Sequence, residues 1–174
     1  MGKKKMAWLF FVILATSAWV LGAVIQGGAE TLKYKSYTYT IKEENIPVGD
    51  EEGHLVMFYE RGGLFVFENG EVANFHMIGT GEAVKNGASL LYYDTVTFPD
   101  GSTIMERVQG TLGMGVPGVP STGGFKKDII KGTGRFEGIK GTGSGRTKYL
   151  PVEKWQPGVS GYGEGAYEYT LPPK

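Results

Sequence analysis

Short runs of β-branched and aromatic residues, separated by glycines, make up the chain after residue 30. No stretch there shows the 3.6-residue apolar period of a helix, which predicts an all-β fold. Without helices for parallel crossovers, the strands are expected to be antiparallel and to close into a barrel or stack as a sandwich. The predicted strands are Thr31–Lys42, His54–Glu60, Leu64–Phe67, Val72–Val84, Ala88–Phe98, Thr103–Leu112, Phe125–Thr133, Lys140–Leu150 and Gly161–Leu171. Glu43–Gly53 is predicted as a turn and Gly113–Gly124 as a long loop, either a lid over a barrel mouth or a plain connection.

The start of the chain has the pattern of an export signal. Three consecutive lysines precede an uncharged run from Met6 to Ile25, and the small residues Gly27-Gly28-Ala29 follow it. This pattern predicts a signal peptide over residues 1–29, cleaved before Glu30, and export of residues 30–174 as one domain to the periplasm or the cell exterior. The alternative is an uncleaved anchor helix formed by residues 6–25, because about 20 apolar residues can span a bilayer.

Composition excludes several classes of function. The 18 basic residues balance the 18 acidic ones, so no excess of positive charge favours binding to nucleic acid. The chain has no cysteine, which excludes disulfides, thiolate zinc sites, iron–sulfur clusters and a cysteine nucleophile. The two histidines, His54 and His76, lie on different predicted strands without further ligands nearby in sequence, so we expect no metal site.

The segment Phe98-Pro99-Asp100-Gly101 predicts a three-residue hairpin loop. Proline presets φ for a type I turn, and Gly101 accepts the positive φ of the bulge that follows. This loop places Phe98 opposite Ser102 and brings together one largely apolar face of each strand. The two faces carry Leu90, Tyr92, Asp94, Val96 and Phe98 on the first strand, and Ile104, Glu106, Val108 and Leu112 on the second.

Asp94 and Glu106 are directly opposite each other in this register, on the inward face. Two carboxylates in such a place cannot both stay ionised at low cost, so the pKa of one of them is expected to rise. With Tyr92 beside them, they form a candidate set of acid–base catalytic groups. Two alternatives stay open. A two-residue loop at Asp100-Gly101 would pair Asp94 with Arg107 on the surface, and a position at a barrel rim would expose both acids to water.

Aromatic residues supply candidate ligand contacts. Ten tyrosines and nine phenylalanines suit either an aromatic cavity for a hydrophobic ligand or ordinary core packing. His76 and Asn74 share a strand face with Ile78, and we take them, together with Phe58 and Phe98, as candidate ligand-binding residues that line the interior. The alternative for His76 is a structural histidine.

The segment from Lys131 to Gly143 reads KGTGRFEGIKGTG. It resembles the Gly-Thr-Gly-x-Phe-x-Gly-x-x-Gly signature of allene oxide cyclases and dirigent proteins. The resemblance implies an eight-stranded antiparallel closed barrel, calycin-like, with a largely apolar central cavity and no cofactor. It also implies hydrophobic small molecules as ligands, since allene oxide cyclases close a ring from a fatty-acid epoxide and dirigent proteins steer the radical coupling of phenols. The signature itself is structural, with glycines that turn the chain and Phe136 as a plug of the core, and it transfers no catalytic residue.

Three functions follow as expectations. The leading one is an exported barrel that binds a small hydrophobic molecule in its cavity. The second is a cofactor-free isomerase or cyclase that uses Asp94, Glu106 and Tyr92. The third is a structural or interaction module of the cell envelope with a filled core. A homo-oligomer is compatible with all three, and membrane contact is expected only if residues 6–25 remain attached.

Overall fold

The computed structural model describes residues 28–113, 119–150 and 160–173, so the apolar run of residues 6–25 lies outside the described residues. Within them, eight antiparallel strands follow one another around a closed barrel, and the first strand pairs with the last. The strands are β1 (Glu30–Pro47), β2 (Leu55–Phe67), β3 (Val72–Val84), β4 (Gly87–Thr97), β5 (Thr103–Gly113), β6 (Ser121–Gly132), β7 (Lys140–Tyr149) and β8 (Gly161–Thr170). None of the described residues belongs to a helix long and apolar enough to cross a membrane. The predicted all-β class and the closed eight-stranded antiparallel barrel are confirmed.

The strand connections alternate between the two ends of the barrel. One end, here called the closed end, carries residues 68–71, 98–102 and 133–139. The other, here called the loop end, carries residues 48–54, 85–86, 119–120, 150 and 160. Residues 114–118 of the segment predicted as a lid or a plain connection fall outside the described residues, as do residues 151–159.

The hairpin between β4 and β5 has the predicted loop and register. Phe98 N donates to Ser102 O at 2.9 Å, and Gly101 has a φ of 81°. Asp100 Oδ1 accepts a hydrogen bond from Ser102 N at 2.9 Å, which fixes the turn. Asp94 therefore pairs with Glu106, and the alternative pairing of Asp94 with Arg107 is excluded.

Aromatic packing fills the closed end. Phe136 follows two glycines of the KGTGRFEGIKGTG segment in a short 3₁₀ turn, and its side chain is buried. Its ring centroid lies 4.7 Å from that of Phe98, and Phe98 in turn stacks on Phe67. Arg135 pairs with Glu71 at 2.5 Å and with Asp100 at 3.6 Å, which links three neighbouring turns. The prediction that Phe136 plugs the core is confirmed.

Three strand boundaries differ from the predictions. The predicted turn over Glu43–Gly53 starts too early, because β1 continues to Pro47 after a bulge near Ile41. The predicted break between Glu60 and Leu64 does not exist, and β2 runs through it. There Gly62 and Gly63 leave room for the rings of Tyr39 and Phe75. The predicted long loop is shorter, because β6 begins at Ser121.

Inward-facing glycines make room for large rings in the barrel. A methyl group added at Gly145 would lie 2.5 Å from the Phe125 ring, and still closer to the backbone oxygen of Glu164. A methyl group at Gly165 would lie 2.7 Å from the Tyr34 hydroxyl. The thin wall formed by β7 and β8 therefore lets aromatic side chains lie close to the backbone.

Gly145→Ala is expected to lower the free energy of unfolding by about 1–3 kcal/mol, because the overpacked Phe125 ring must shift. Gly124→Ala is the matched control in the neighbouring strand. Its added methyl group would meet only Gly145 O, at an ordinary 3.7 Å. We expect that variant to stay within about 0.5 kcal/mol of wild type. Urea unfolding followed by tyrosine fluorescence measures both, and equal losses would contradict the packing argument.

Candidate functional site

Three charged side chains meet in the middle of the barrel. Asp94 on β4, Glu106 on β5 and Lys127 on β6 face inward, and each is at most 3% exposed. Lys127 Nζ lies 2.7 Å from Glu106 Oε2 and 3.5 Å from Asp94 Oδ2. The β4–β5 register puts the two acids side by side, and β6 supplies the cation from the other side of β5. The acids therefore share one counter-ion.

Aromatic groups enclose this charge cluster. Lys127 Nζ lies 4.6 Å from the ring centroid of Phe65 and between 5.1 and 5.5 Å from those of Tyr34, Tyr167 and Phe125. Such ring faces attract a cation. The Tyr167 hydroxyl donates a hydrogen bond to Glu106 Oε1. Glu106 is therefore held from both sides, by Lys127 and by Tyr167.

Burial and charge determine how the cluster titrates. Burial raises the pKa of Asp94 to about 7; Lys127 opposes that rise and Glu106 adds to it. Burial acts against the charge of Lys127, but Glu106, Tyr34 and Asp94 outweigh it and hold the pKa of the ammonium group well above its usual value. Burial also raises the pKa of Tyr34 to about 12, so its hydroxyl stays protonated near neutral pH. The expected rise of one carboxylate pKa is found at Asp94.

Asp94 also faces an internal cavity of about 30 Å³. Its second oxygen, Oδ1, has no hydrogen-bond partner among the described residues. Lys127, Ser36, Thr38 and Thr147 supply further polar side chains of the cavity lining, and aromatic rings form much of the remaining wall. The cavity is lined by Tyr34, Ser36, Thr38, Phe65, Phe75, Met77, Tyr92, Asp94, Phe125, Lys127, Thr147 and Tyr149.

A second inward-facing cation is Arg61 on β2. Its guanidinium lies between the rings of Tyr59 and Tyr149, at 4.7 and 4.5 Å from their centroids. Its Nη2 lies 3.2 Å from Glu43 Oε2, on the part of β1 beyond the bulge. Because Tyr149 also lines the cavity, Arg61 supports one of the cavity walls from behind.

The structure brings together only part of the predicted site. Asp94, Glu106 and Tyr92 all lie inside the barrel, and Asp94 and Tyr92 line the same cavity. Phe98 is buried at the closed end against Phe67 and Phe136 and does not line this cavity. It therefore belongs to the packed core.

The interior placement of His76, Asn74 and Phe58 is wrong. The inward positions of β3 belong to Phe75 and Met77, so the alternation of the strand turns Asn74 and His76 to the outer face. There His76 Nε2 lies 2.7 Å from Glu60 Oε1. On β2 Tyr59 points inward, and Phe58, 47% exposed, lies in an outer groove beside Ile78.

Lys127 and Arg61 are charged functional candidates that sequence analysis missed. Lys127 shares its strand phase with Phe125 and Ile129, but Ile130 lies in the opposite phase, so the pattern permits an inward lysine without requiring one. Arg61 alternates with Tyr59 and Phe65 through Gly63, but the predicted strand break at Glu60 concealed that phase. Continuous alternation through β2 would have revealed it.

No cluster of three or more histidine, aspartate or glutamate side chains suited to a metal ion occurs within residues 28–113, 119–150 and 160–173. Comparison of the chain with protein-family models, curated proteins and solved structures finds no match.

Proposed function

We propose that the barrel binds a small, largely apolar molecule that carries one hydrogen-bond donor, without a cofactor. The observation that carries this proposal is Asp94 Oδ1, a buried carboxylate oxygen that faces a cavity and has no partner among the described residues. A buried acceptor without a partner costs about 1–3 kcal/mol, and more when it is charged. A ligand hydroxyl or amine that donates to Asp94 would recover that energy.

The side chains around Asp94 indicate the chemical character of the ligand beyond its donor group. Phe65, Phe75, Phe125 and Tyr92 line the cavity and offer apolar ring faces. Such surfaces favour an apolar or conjugated body over a sugar or a phosphate. The sequence resemblance to allene oxide cyclases and dirigent proteins points to the same class of ligand, and that kinship is itself part of the proposal.

The cavity volume sets a condition on binding. A space of about 30 Å³ holds one or two water molecules, whereas drug-sized ligands occupy roughly 300 Å³ or more. A larger ligand therefore binds with its polar group in this space and with its body in place of the Phe125 and Tyr149 side chains. Both side chains are only partly buried, which makes them the movable part of the lining.

A second candidate function is cofactor-free isomerisation by proton transfer, which the pKa of about 7 at Asp94 favours. Ionised Asp94 would take a proton from a carbon next to a substrate carbonyl, and the electron pair would move onto the carbonyl oxygen. Lys127 and the Tyr34 hydroxyl would stabilise that oxygen. Asp94, now protonated, would return the proton to a different carbon, so that no atom or electron is gained or lost. Glu106 would act as a positioning residue that holds Lys127.

Native mass spectrometry of the protein purified from its own host without detergent tests the binding proposal. We expect an additional mass of a small molecule that leaves on denaturation and that rebinds after removal. A protein without added mass that also fails to bind p-cresol, an apolar ring with one hydroxyl donor, would contradict the proposal and favour a structural module of the cell envelope. A mature mass beginning at Glu30 would in addition establish cleavage of the predicted signal.

Asp94→Asn is expected to weaken binding of the released molecule roughly 10- to 100-fold, because it removes a charged hydrogen-bond acceptor. Asp128→Asn, on the exposed face of β6, is the matched control and should bind as wild type does. Titration calorimetry measures both variants. If Asp94→Asn keeps its affinity but no longer isomerises the molecule, the second candidate function replaces simple binding. Unchanged affinity and chemistry would contradict both.

A further inference from the structure

The outer face of β6, β7, β8 and β1 carries a concentration of positive charge, here called the basic face. Neighbouring strands place Lys126 beside Ser144, Ser144 beside Ala166, and Ala166 beside Lys33. In the next row, Arg146 and Lys35 flank Glu164. The exposed cations of the basic face are Lys33, Lys35, Lys126, Arg146 and Lys148.

These cations are available to bind an anion. None of the five side chains forms an ion pair within the described part of the chain. Among them lie Glu164, between Lys35 and Arg146, and Glu68, which accepts a hydrogen bond from Lys33 N. Asp128 and Glu168 flank Thr142 in the row on the closed-end side, so the excess of positive charge is confined to the rows of Lys126, Arg146 and Lys148. Residues 30–174 as a whole have 15 basic and 18 acidic residues, so the basic face is positive although the domain has a net negative charge.

The basic face is grooved as well as charged. Two adjacent depressions of about 690 and 640 Å³ share Arg146 and Glu164 along their border. They exist because small residues, among them Ser144, Gly145 and Ala166, occupy the centre of this surface. Long cationic side chains therefore surround a shallow depression lined by small residues, and this arrangement suits the binding of a small anionic group.

Two further observations favour a membrane as the source of that group. The exposed rings of Tyr37 and Tyr162 pair across β1 and β8 in the row next to Lys35 and Glu164. Tyrosine is enriched where proteins meet the lipid–water interface. Lys33 and Lys35 lie at the start of β1, a few residues beyond the uncharged run of residues 6–25. Basic residues held near a bilayer surface attract anionic headgroups, at about 1 kcal/mol for each charge.

We propose that the basic face is a docking surface for an anionic phospholipid bilayer, with headgroup phosphates in the grooves between Lys33, Lys35 and Arg146. This proposal is independent of the interior site. The opposite outer groove, which contains Phe58, Ile78 and Tyr93, is lined by Glu44 and Glu60 and by one cation, Lys42, so it lacks the excess of positive charge that attracts these lipids. The charge distribution therefore gives the barrel a defined orientation on the membrane.

The absence of cysteine in the chain allows a direct test with single labelled cysteines. Thr142→Cys places an environment-sensitive fluorophore on the exposed face of β7 beside the grooves, and Thr80→Cys places it in the opposite groove. The full chain is reconstituted in vesicles of phosphatidylcholine alone or mixed with phosphatidylglycerol. We expect a blue shift of the Thr142→Cys label only with the anionic lipid, loss of that shift in high salt, and no shift of the Thr80→Cys label.

Charge variants separate the basic face from general electrostatics. Substitution of Lys33, Lys35 and Arg146 by glutamine should abolish the shift. The same substitution of the exposed Lys42, Lys85 and Lys131 removes equal charge and should leave the shift intact. Equal emission in both lipids, equal response of both labels, or equal loss in both variants would overturn the proposal. If glycerol phosphate or hyaluronate in solution reproduces the shift with phosphatidylcholine vesicles, the surface binds a soluble anion and the lipid assignment is wrong.

Discussion

Lys127→Met is expected to lower the free energy of unfolding at pH 7 by about 3–5 kcal/mol, because it leaves two buried carboxylates without a counter-ion. Asp94 and Glu106 are 2% and 0% exposed, so bulk water does not screen the charges that the lost ammonium group leaves unpaired. The deficit should shrink as the pH falls and Asp94, whose pKa is raised by burial, takes up a proton. Urea unfolding at pH 7 and at pH 5 measures both effects.

Two controls make this result specific to the ion cluster. Lys126→Met, at the neighbouring exposed position on β6, should change stability by no more than about 0.5 kcal/mol. The triple variant Asp94→Asn, Glu106→Gln, Lys127→Met should regain most of the loss, since replacing all members of a buried ionic cluster is often close to neutral. If Lys127→Met costs less than about 1 kcal/mol, the lysine is not the counter-ion that keeps the acids in place.

Wild-type protein is expected to lose stability as the pH rises from about 4 to about 7, and Asp94→Asn should largely abolish this loss. The pKa of Asp94 is about 7 in the folded barrel, against 3.8 usually. The folded state therefore keeps a proton that the unfolded chain has released, and each further pH unit in this range favours unfolding. The interval between 3.8 and about 7, at about 1.4 kcal/mol for each pH unit, gives a loss of up to about 4 kcal/mol.

His54 must be separated from this effect. It lies 2.6 Å from Asp50 and 2.9 Å from Glu82, and these hydrogen bonds raise its pKa. Its contribution is also lost as the pH rises, but only as the pH passes through that raised value, above 6.5. Chemical unfolding of wild type, Asp94→Asn and His54→Gln at half-unit pH intervals distinguishes the two. A wild-type profile that stays flat between pH 5 and pH 7 would contradict the assignment to Asp94.

The β4–β5 half of the site could be predicted because local chemistry decides it. The Pro99-Asp100-Gly101 loop favours one register between β4 and β5, and that register places Asp94 opposite Glu106. Both strands also alternate clearly between apolar and polar positions, so their inward faces follow from the sequence. Nothing outside the hairpin was needed for this part.

Other parts depend on contacts between distant strands. In the run Lys126-Lys127-Asp128 every side chain is charged, so local polarity does not show which one points inward. The β5–β6 pairing also has a register shift between Met105 and Glu106. Counting residues back from the β6–β7 turn therefore does not give the partner of each β6 residue. On β3 Asn74 and His76 share one strand face, and Phe75 and Met77 share the other, so alternation alone does not show which pair points inward. Only the larger apolar volume of the second set favours its burial, as found.

The closure of β1 on β8 also determines how this chain must fold. Lys33 pairs with Ala166, so the hydrogen bonds that seal the barrel join residues near opposite ends of the described chain. Such distant pairing makes folding slow, because the loop entropy must be overcome before the contact forms. Until β8 is in place, both β1 and β7 present unpaired backbone groups that can join another chain. The barrel is therefore most prone to aggregate just before its last strand arrives, and substitutions that delay β8 should lower the yield of soluble protein more than its final stability.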